Sequence, residues 1–192
     1  MRRKRIKTVF LDRDGVINRK PLEGDYVKCW EEFEFLPRAP EALRLLKEAG
    51  IRVIIVTNQR GIARGLMTER NLEEIHKRML AELARFQASV DAIYYCPHEE
   101  GVCDCRKPRV GLFRQAQQDF QDIDFANSAV IGDSLKDMEA GTQLGCLTIL
   151  IADRTQKERL LKEAFAKGIR IDVVVTSLFE AAELLTRSKK AE

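Results

Sequence analysis

Six short apolar runs alternate with amphipathic helical patterns along this chain, and that alternation limits the fold more than any other feature. The runs fall at residues 8–11, 52–56, 92–95, 129–131, 147–151 and 172–175. Most are nearly continuous in valine, isoleucine and leucine, as expected of strands covered on both faces. Between them apolar residues recur at helical spacing. Residues 40–49 place Ala42, Leu45, Leu46 and Ala49 on one face, with Gly50 suited to the C-cap. Thr68 is placed to cap a helix running to about residue 86, striped by Leu72, Ile75, Met79 and Leu83. Further helices are expected over 110–120, 135–144, 156–166 and 177–186. Strands alternating with helices imply βαβ crossovers, so the expectation is a three-layer, Rossmann-like α/β fold with a mostly parallel sheet. The 192 residues suffice for one domain with a substantial core, and no large cap domain is expected.

A parallel sheet gathers chemistry at the carboxyl ends of its strands. The first run ends in Asp12-Arg13-Asp14-Gly15. Two carboxylates at i, i+2 can bind a divalent cation, and one can attack a phosphoryl group. The same tetrapeptide also suits a plain turn. The second run ends in Thr57 and Asn58, which can donate to phosphate oxygens, and Gly61 and Gly65 follow, expected to let backbone amides approach an anion. The fourth ends in Gly132-Asp133-Ser134, with Asp137 three residues on. All three ends fall on one edge of such a sheet. Arg106-Lys107-Pro108 adds two cations, Lys107 to neutralise phosphate charge and Arg106 to grip it bidentately. The mixed segment 19–35 reads as a loop over this edge.

Cys96, His98, Cys103 and Cys105 form a second constellation. Three thiolates and an imidazole are a closed ligand set for structural zinc, because no position is left open for catalysis. Five cysteines, an odd number, argue against a disulfide framework. The net charge of +3 is too small to argue for nucleic-acid binding. The basic stretch within residues 1–6 reads as a solvated tail, and the apolar run behind it is too short for a secretion signal. No apolar run approaches the ~20 residues of a membrane span, so a cytoplasmic location is expected.

With these residues in place, the chain resembles the haloacid dehalogenase superfamily of phosphotransferases. The four superfamily motifs occur in order as Asp12-x-Asp14, Thr57, Lys107, and Asp133 with Asp137. The segments FLDRDGVIN (10–18), VTNQRGIARG (56–65), YYCPH (94–98), CDCRKP (103–108) and IGDSLKDM (131–138) are similar to the D-glycero-D-manno-heptose 1,7-bisphosphate 7-phosphatases. The related histidinol-phosphate phosphatases share the zinc pattern with a short loop. The resemblance implies a Mg²⁺-dependent phosphate monoesterase of surface-polysaccharide precursor synthesis, working through an aspartyl-phosphate. Asp12 would be the nucleophile. Asp14 would be general acid and then base, with its pKa expected to be raised by neighbouring acids.

The same resemblance implies Mg²⁺ on Asp12, the backbone carbonyl of Asp14 and Asp133, and structural Zn²⁺ on Cys96, His98, Cys103 and Cys105. Thr57 and Lys107 would stabilise the transferring phosphoryl group. Arg106 and the loop around Glu23, Asp25 and Tyr26 would contact the sugar or its remaining phosphate. Asn58, Gln59, Arg60 and Ser134 would border the phosphate. Arg60 departs from the family pattern, which has a small polar residue after TNQ, and Ser134 stands where heptose enzymes can carry lysine. The implied partner is a small sugar phosphate, with no nucleic acid or membrane, and a monomer is expected. From a different class, the alternative is a zinc-stabilised binding protein that has lost catalysis.

Overall fold

Burial decides how the apolar runs pair. The computed structural model describes residues 5–22 and 24–187, so residues 1–4 of the basic stretch and Glu23 lie outside the described residues. The strands are β1 (Thr8–Leu11), β2 (Arg52–Asn58), β3 (Ala92–Cys96), β4 (Ser128–Gly132), β5 (Leu147–Ile151) and β6 (Val173–Val175). The helices are α1 (Ala39–Glu48), α2 (Glu69–Arg85), α3 (Gly111–Asp119), α4 (Leu135–Leu144), α5 (Arg154–Ala166) and α6 (Leu178–Thr186). The strands form one six-stranded sheet in the order β3-β2-β1-β4-β5-β6, with every pair parallel.

Successive strand residues face opposite sides of the sheet, so the core splits in two. Val9, Leu11, Val53 and Ile55 pack in one cluster with Leu43 and Leu46 of α1, Ile75 of α2 and Leu178 of α6. Phe10, Ile54, Val56 and Val130 pack in the other with Phe113 of α3, Met138 of α4 and Leu160 of α5. These layers are the expected three.

Strand and helix ends differ from expectation where hydrogen bonding outweighs hydrophobicity. β2 and β3 run past their apolar residues because Thr57 pairs with Tyr95 and Asn58 with Cys96. A ladder needs backbone groups, so polar side chains can ride on it. Thr57, Asn58 and Cys96 therefore sit on rigid strand rather than loop. α5 starts two residues early because the Asp153 carboxylate accepts from the amides of Thr155 and Gln156.

The strand order reverses direction at β1. The chain moves outward to β2 and β3, then crosses back to β4 on the other side. Connections leaving β1 and β4 diverge, and a crevice opens between them at the carboxyl edge. Asp12 and Asp133 stand immediately after those two strands.

Candidate active site

Three acids converge at this crevice. Asp12 and Asp133 come from the strand ends and Asp137 from the first turn of α4. One carboxylate oxygen from each lies within 4.8 Å of the others. Two glycines admit them. Gly15 has φ +85°, and a Cβ there would overlap the Asp133 carboxylate, while a Cβ at Gly132 would overlap the side chain of Asp137. Lys107 lies under the acids, 3% exposed. Its ammonium donates to the Val56 carbonyl at 2.6 Å and pairs with Asp137 at 2.6 Å and Asp12 at 3.1 Å. One hydrogen bond and two ion pairs hold the buried ammonium in place. Asn58 fixes the lysine's backbone: its Oδ1 accepts from Lys107 N at 3.0 Å and its Nδ2 donates to Lys107 O at 3.1 Å.

The electrostatics show a surplus of negative charge. Burial pushes Asp12 up to about 7; Lys107 opposes this, while Asp137, Asp133 and Asp14 add to it. Lys107 is raised as well, because Asp12 and Asp137 outweigh its burial, and for a lysine that means it stays charged. Asp133 is raised by burial against the pull of Lys20, whose ammonium lies 2.6 Å from its carboxylate. Three carboxylates thus face two ammoniums. Crowded hard oxygens with uncompensated charge are the donor set of a divalent cation such as Mg²⁺.

Asp14 departs from expectation. Burial raises its pKa, but Arg13, Asn18 and Gln59 together bring it below the ordinary carboxylate value. Arg13 Nη2 donates to both carboxylate oxygens, at 2.9 and 3.0 Å. Asn18 Nδ2 donates to one and Gln59 Nε2 to the other, each at 2.8 Å. Neighbouring acids do not govern this group, because four donors reach it first.

The expected substrate residues divide by what their polar atoms already hold. An open cleft of about 530 Å³ is lined by Asp12, Asp14, Asp25, Tyr26, Thr57, Asn58, Arg106, Asp133 and Ser134. Thr57 accepts from Gln59 at 2.9 Å, which leaves its hydroxyl hydrogen for a ligand. Arg106 Nε and Nη1 are buried without a partner among the described residues, so a guanidinium in the cleft wall waits for an anion. Asp25 is paired to Lys28 at 2.7 Å.

Other expectations need correction. Gln59 is wholly buried and spends its Nε2 on Asp14 and Thr57, so it orients the site instead of bordering a ligand. Ser134 stays in the cleft lining as expected, while its Oγ donates to Asp137 at 2.5 Å. Arg60 is outside the cleft lining; it donates to the Tyr26 hydroxyl at 3.1 Å and to Glu99 at 2.9 Å. Gly61 makes room for the Tyr26 ring rather than for an anion.

Some site residues escaped the sequence reading. Lys20 looks like any loop lysine until its ammonium reaches Asp133, 113 residues away. Gln156 and Arg159 enter the cleft wall from α5 and read in sequence as helix surface. Arg13, between the two motif aspartates, is 0% exposed and bonded to His76. His76 shares the apolar stripe of α2, so spacing alone marks it as core.

The sulfur cluster is also assembled. Cys105 Sγ lies 3.1 Å from Cys96 Sγ and 3.1 Å from Cys103 Sγ, and His98 Nδ1 lies 3.2 Å from Cys105 Sγ. Cys96 Sγ is 3.5 Å from Cys103 Sγ and 3.8 Å from His98 Nδ1. Tetrahedral Zn–S bonds imply ligand separations of roughly 3.7 Å, so the donor set fits zinc closely. Protonation supports that fit. Burial raises Cys103, but bonds from Cys105 and Cys96 bring it down to about 6, while burial and the same neighbours push Cys105 up. Three thiols this close cannot all ionise unless a cation joins them.

Comparison with known proteins agrees with this geometry. The sequence family described as polynucleotide kinase 3 phosphatase matches residues 7–172. A D-glycero-alpha-D-manno-heptose-1,7-bisphosphate 7-phosphatase from Campylobacter jejuni is 41% identical over 79% of this chain and 86% of its own. A D-glycero-D-manno-heptose-1,7-bisphosphate 7-phosphatase from Chlorobaculum tepidum is 40% identical over 91% of this chain and 92% of its own. The crystal structure of D,D-heptose 1,7-bisphosphate phosphatase from B. bronchiseptica, complexed with magnesium and phosphate, superposes with a TM-score of 0.84. It is 35% identical, covering 95% of this chain and 99% of that one.

Proposed function

The chain belongs to the polynucleotide kinase 3 phosphatase family, on a haloacid dehalogenase-type fold, and from that premise we propose that it removes the 7-phosphate of D-glycero-D-manno-heptose 1,7-bisphosphate. The observation that carries this reading is the convergence of Asp12, Asp133, Asp137 and Lys107 at the strand-order reversal. Phosphoryl transfer asks a protein for positioning and charge neutralisation, and this arrangement supplies both. Mg²⁺ would be held by Asp12, Asp133 and the backbone carbonyl of Asp14. When bound it would neutralise charge between the nucleophile and the phosphoryl oxygens.

The chain's own groups account for the bond changes. An Asp12 carboxylate oxygen attacks phosphorus, and the bond to the sugar oxygen breaks. Asp14, which its donors hold ionised in the free site, takes up a proton as the negatively charged phosphate binds beside it and gives that proton to the oxygen. Asp14 then takes a proton from water, whose oxygen attacks the phosphorus of the aspartyl-phosphate, releasing inorganic phosphate and restoring Asp12. Lys107 and the Thr57 hydroxyl offset charge on the transferring group. The unpartnered guanidinium of Arg106 suits the phosphate that remains on the sugar. Zn²⁺ on Cys96, His98, Cys103 and Cys105 would hold the loop that leads into Arg106 and Lys107. The reduced thiols suit the cytoplasm, and nothing in this chemistry needs more than a monomer.

A screen with Mg²⁺ tests the reading. Both anomers of the heptose bisphosphate, the heptose monophosphates, histidinol phosphate and a 3′-phosphorylated oligonucleotide would be assayed side by side. Heptose bisphosphate should give the highest kcat/KM. Preference for histidinol phosphate or the oligonucleotide would overturn the substrate, and silence on every ester would favour a binding protein.

A further inference from the structure

A largely buried polar network runs back from Asp14, and the hydrolysis described above makes no direct use of its far end. Arg13 is 0% exposed. A guanidinium so placed needs an acceptor for each N–H it buries. Its Nε and Nη2 face Asp14, at 3.2 Å and at 2.9–3.0 Å. Its Nη1 lies 3.2 Å from Nε2 of His76 on α2, 63 residues away. Arginine only donates, so His76 Nε2 must accept, which requires a neutral imidazole protonated at Nδ1. Burial above all, and then the charge of Arg13, hold His76 down to about 3, so the neutral form persists.

The platform beneath this contact is firm. The imidazole packs edge-on against Tyr95 of β3, with centroids 6.3 Å apart. Its helix is capped at Thr68 and anchored by Leu72, Ile75 and Met79, all 0% exposed. Asn18 and Gln59 each hold one oxygen of Asp14, and Arg13 reaches both from one planar group. That two-point grip ties the plane of the carboxylate to the plane of the guanidinium, and His76 orients the guanidinium.

We propose that His76 is a positioning residue: through Arg13 it fixes the carboxyl of Asp14 in the orientation from which it protonates the leaving oxygen. This rests on the phosphatase reading above. Without an acceptor on its outer edge the guanidinium turns to seek one, and the Asp14 carboxyl turns with it. Asp12, Lys107 and the metal-binding oxygens stay in place, so only the proton-transfer part of the reaction suffers.

Leaving-group dependence isolates that part. An alkoxide needs the proton of Asp14 to leave, whereas 4-nitrophenolate leaves without one. Because the later water step uses Asp14 with either ester, release of the alcohol or phenol is followed in the pre-steady state, ahead of that step. His76→Leu removes the acceptor. His76→Gln keeps an oxygen near the position of Nε2. His76→Asn is polar but too short to reach it, and replaces the leucine variant should that one fail to fold. Each is assayed with saturating Mg²⁺ on 4-nitrophenyl phosphate and on the sugar phosphate that the wild type hydrolyses best. In the leucine or asparagine variant, the rate of alcohol release from the sugar phosphate should fall about tenfold or more, since general acid catalysis is worth 10²–10⁴. On the aryl ester it should fall less than about twofold, with KM little changed on either. His76→Gln should restore most of the lost rate. An equal fall on both esters, no fall on either, or a glutamine variant as impaired as leucine would overturn the assignment and leave the phosphatase reading standing. A wild type inert on both esters would instead sink the phosphatase reading, and this inference with it.

Discussion

The carboxylate cluster of Asp12, Asp133 and Asp137 is interleaved with the ammoniums of Lys107 and Lys20, whereas the thiol cluster of Cys96, Cys103 and Cys105 is closed by His98 alone. Both could hold a metal, and the chain runs directly from one to the other through Cys105, Arg106 and Lys107. The oxygen cluster carries too little positive charge and faces an open cleft, so it has room for a cation and an anion together. The sulfur cluster supplies four donors that satisfy one ion completely and leave no position for a substrate. The first arrangement suits turnover. The second suits holding a loop still. Glu99 and Glu100 of that loop pair with Arg60 and with Lys136 of α4, which ties the held loop to the cleft's surroundings.

The largest test of this contrast strikes the oxygen cluster. Asp12→Asn should lower phosphatase turnover more than about a thousandfold, because in the proposed reaction no other group attacks phosphorus. It should not lower the melting temperature, since it removes a buried negative charge from a site with a surplus. A variant near the wild-type rate would refute the nucleophile. The sulfur cluster should respond the opposite way. Cys103→Ser, or a zinc-selective chelator, should lower the melting temperature by about 10 °C, as loss of a few kcal/mol does in a chain of this size. Turnover should fall only as Arg106 and Lys107 lose their anchor. Metal analysis finding no zinc in the purified protein would break the contrast from this side.

Acidity separates the clusters on a smaller scale. The Asp12 carboxyl, raised to about 7, keeps a proton in the folded state that the unfolded chain has lost above 3.8. Between these values the native protein binds more protons, so without Mg²⁺ its stability falls as pH rises. Asp14 works in the other direction: its lowered pKa adds stability above 3.8 that is lost as pH falls through its folded value. Mg²⁺ replaces the proton on Asp12 and should raise the melting temperature more at pH 8 than at pH 5, by a few degrees. Equal increments at both pH values would show that Asp12 does not feel the surplus charge. The smallest effect is expected at the bridge between the regions. Arg60→Ala should raise KM severalfold with kcat nearly unchanged, because Arg60 supports Tyr26 in the cleft wall without touching Asp12. Steady-state kinetics showing a fall in kcat alone would place Arg60 nearer the chemistry.

Local chemistry made much of this molecule readable. Most strand runs announced themselves by nearly continuous apolar residues, and helices α1 and α2 by their stripes. Asp12, Thr57 and Asp133 were legible because a parallel sheet must bring its strand ends to one edge. The four zinc-type ligands were legible because they lie within ten residues and differ from their surroundings in kind. Long-range partners were not legible in the same way. Gln59 and Ser134 bear ligand-type polar groups, yet their hydrogen bonds are spent on Asp14, Thr57 and Asp137. Asp14 sits among acids along the chain but among donors in space.

The amino-acid order alone therefore settles the layered α/β architecture, the acidic strand ends and the sulfur ligand set, because these follow from periodicity and spacing over a few residues. Folding settles which polar atoms remain free. Lys20 reaches Asp133, and His76 reaches Arg13, only after crossovers bring distant segments into register. Hydrogen bonds act over about 3 Å, and no pattern along the chain encodes which donor arrives first at a buried carboxylate.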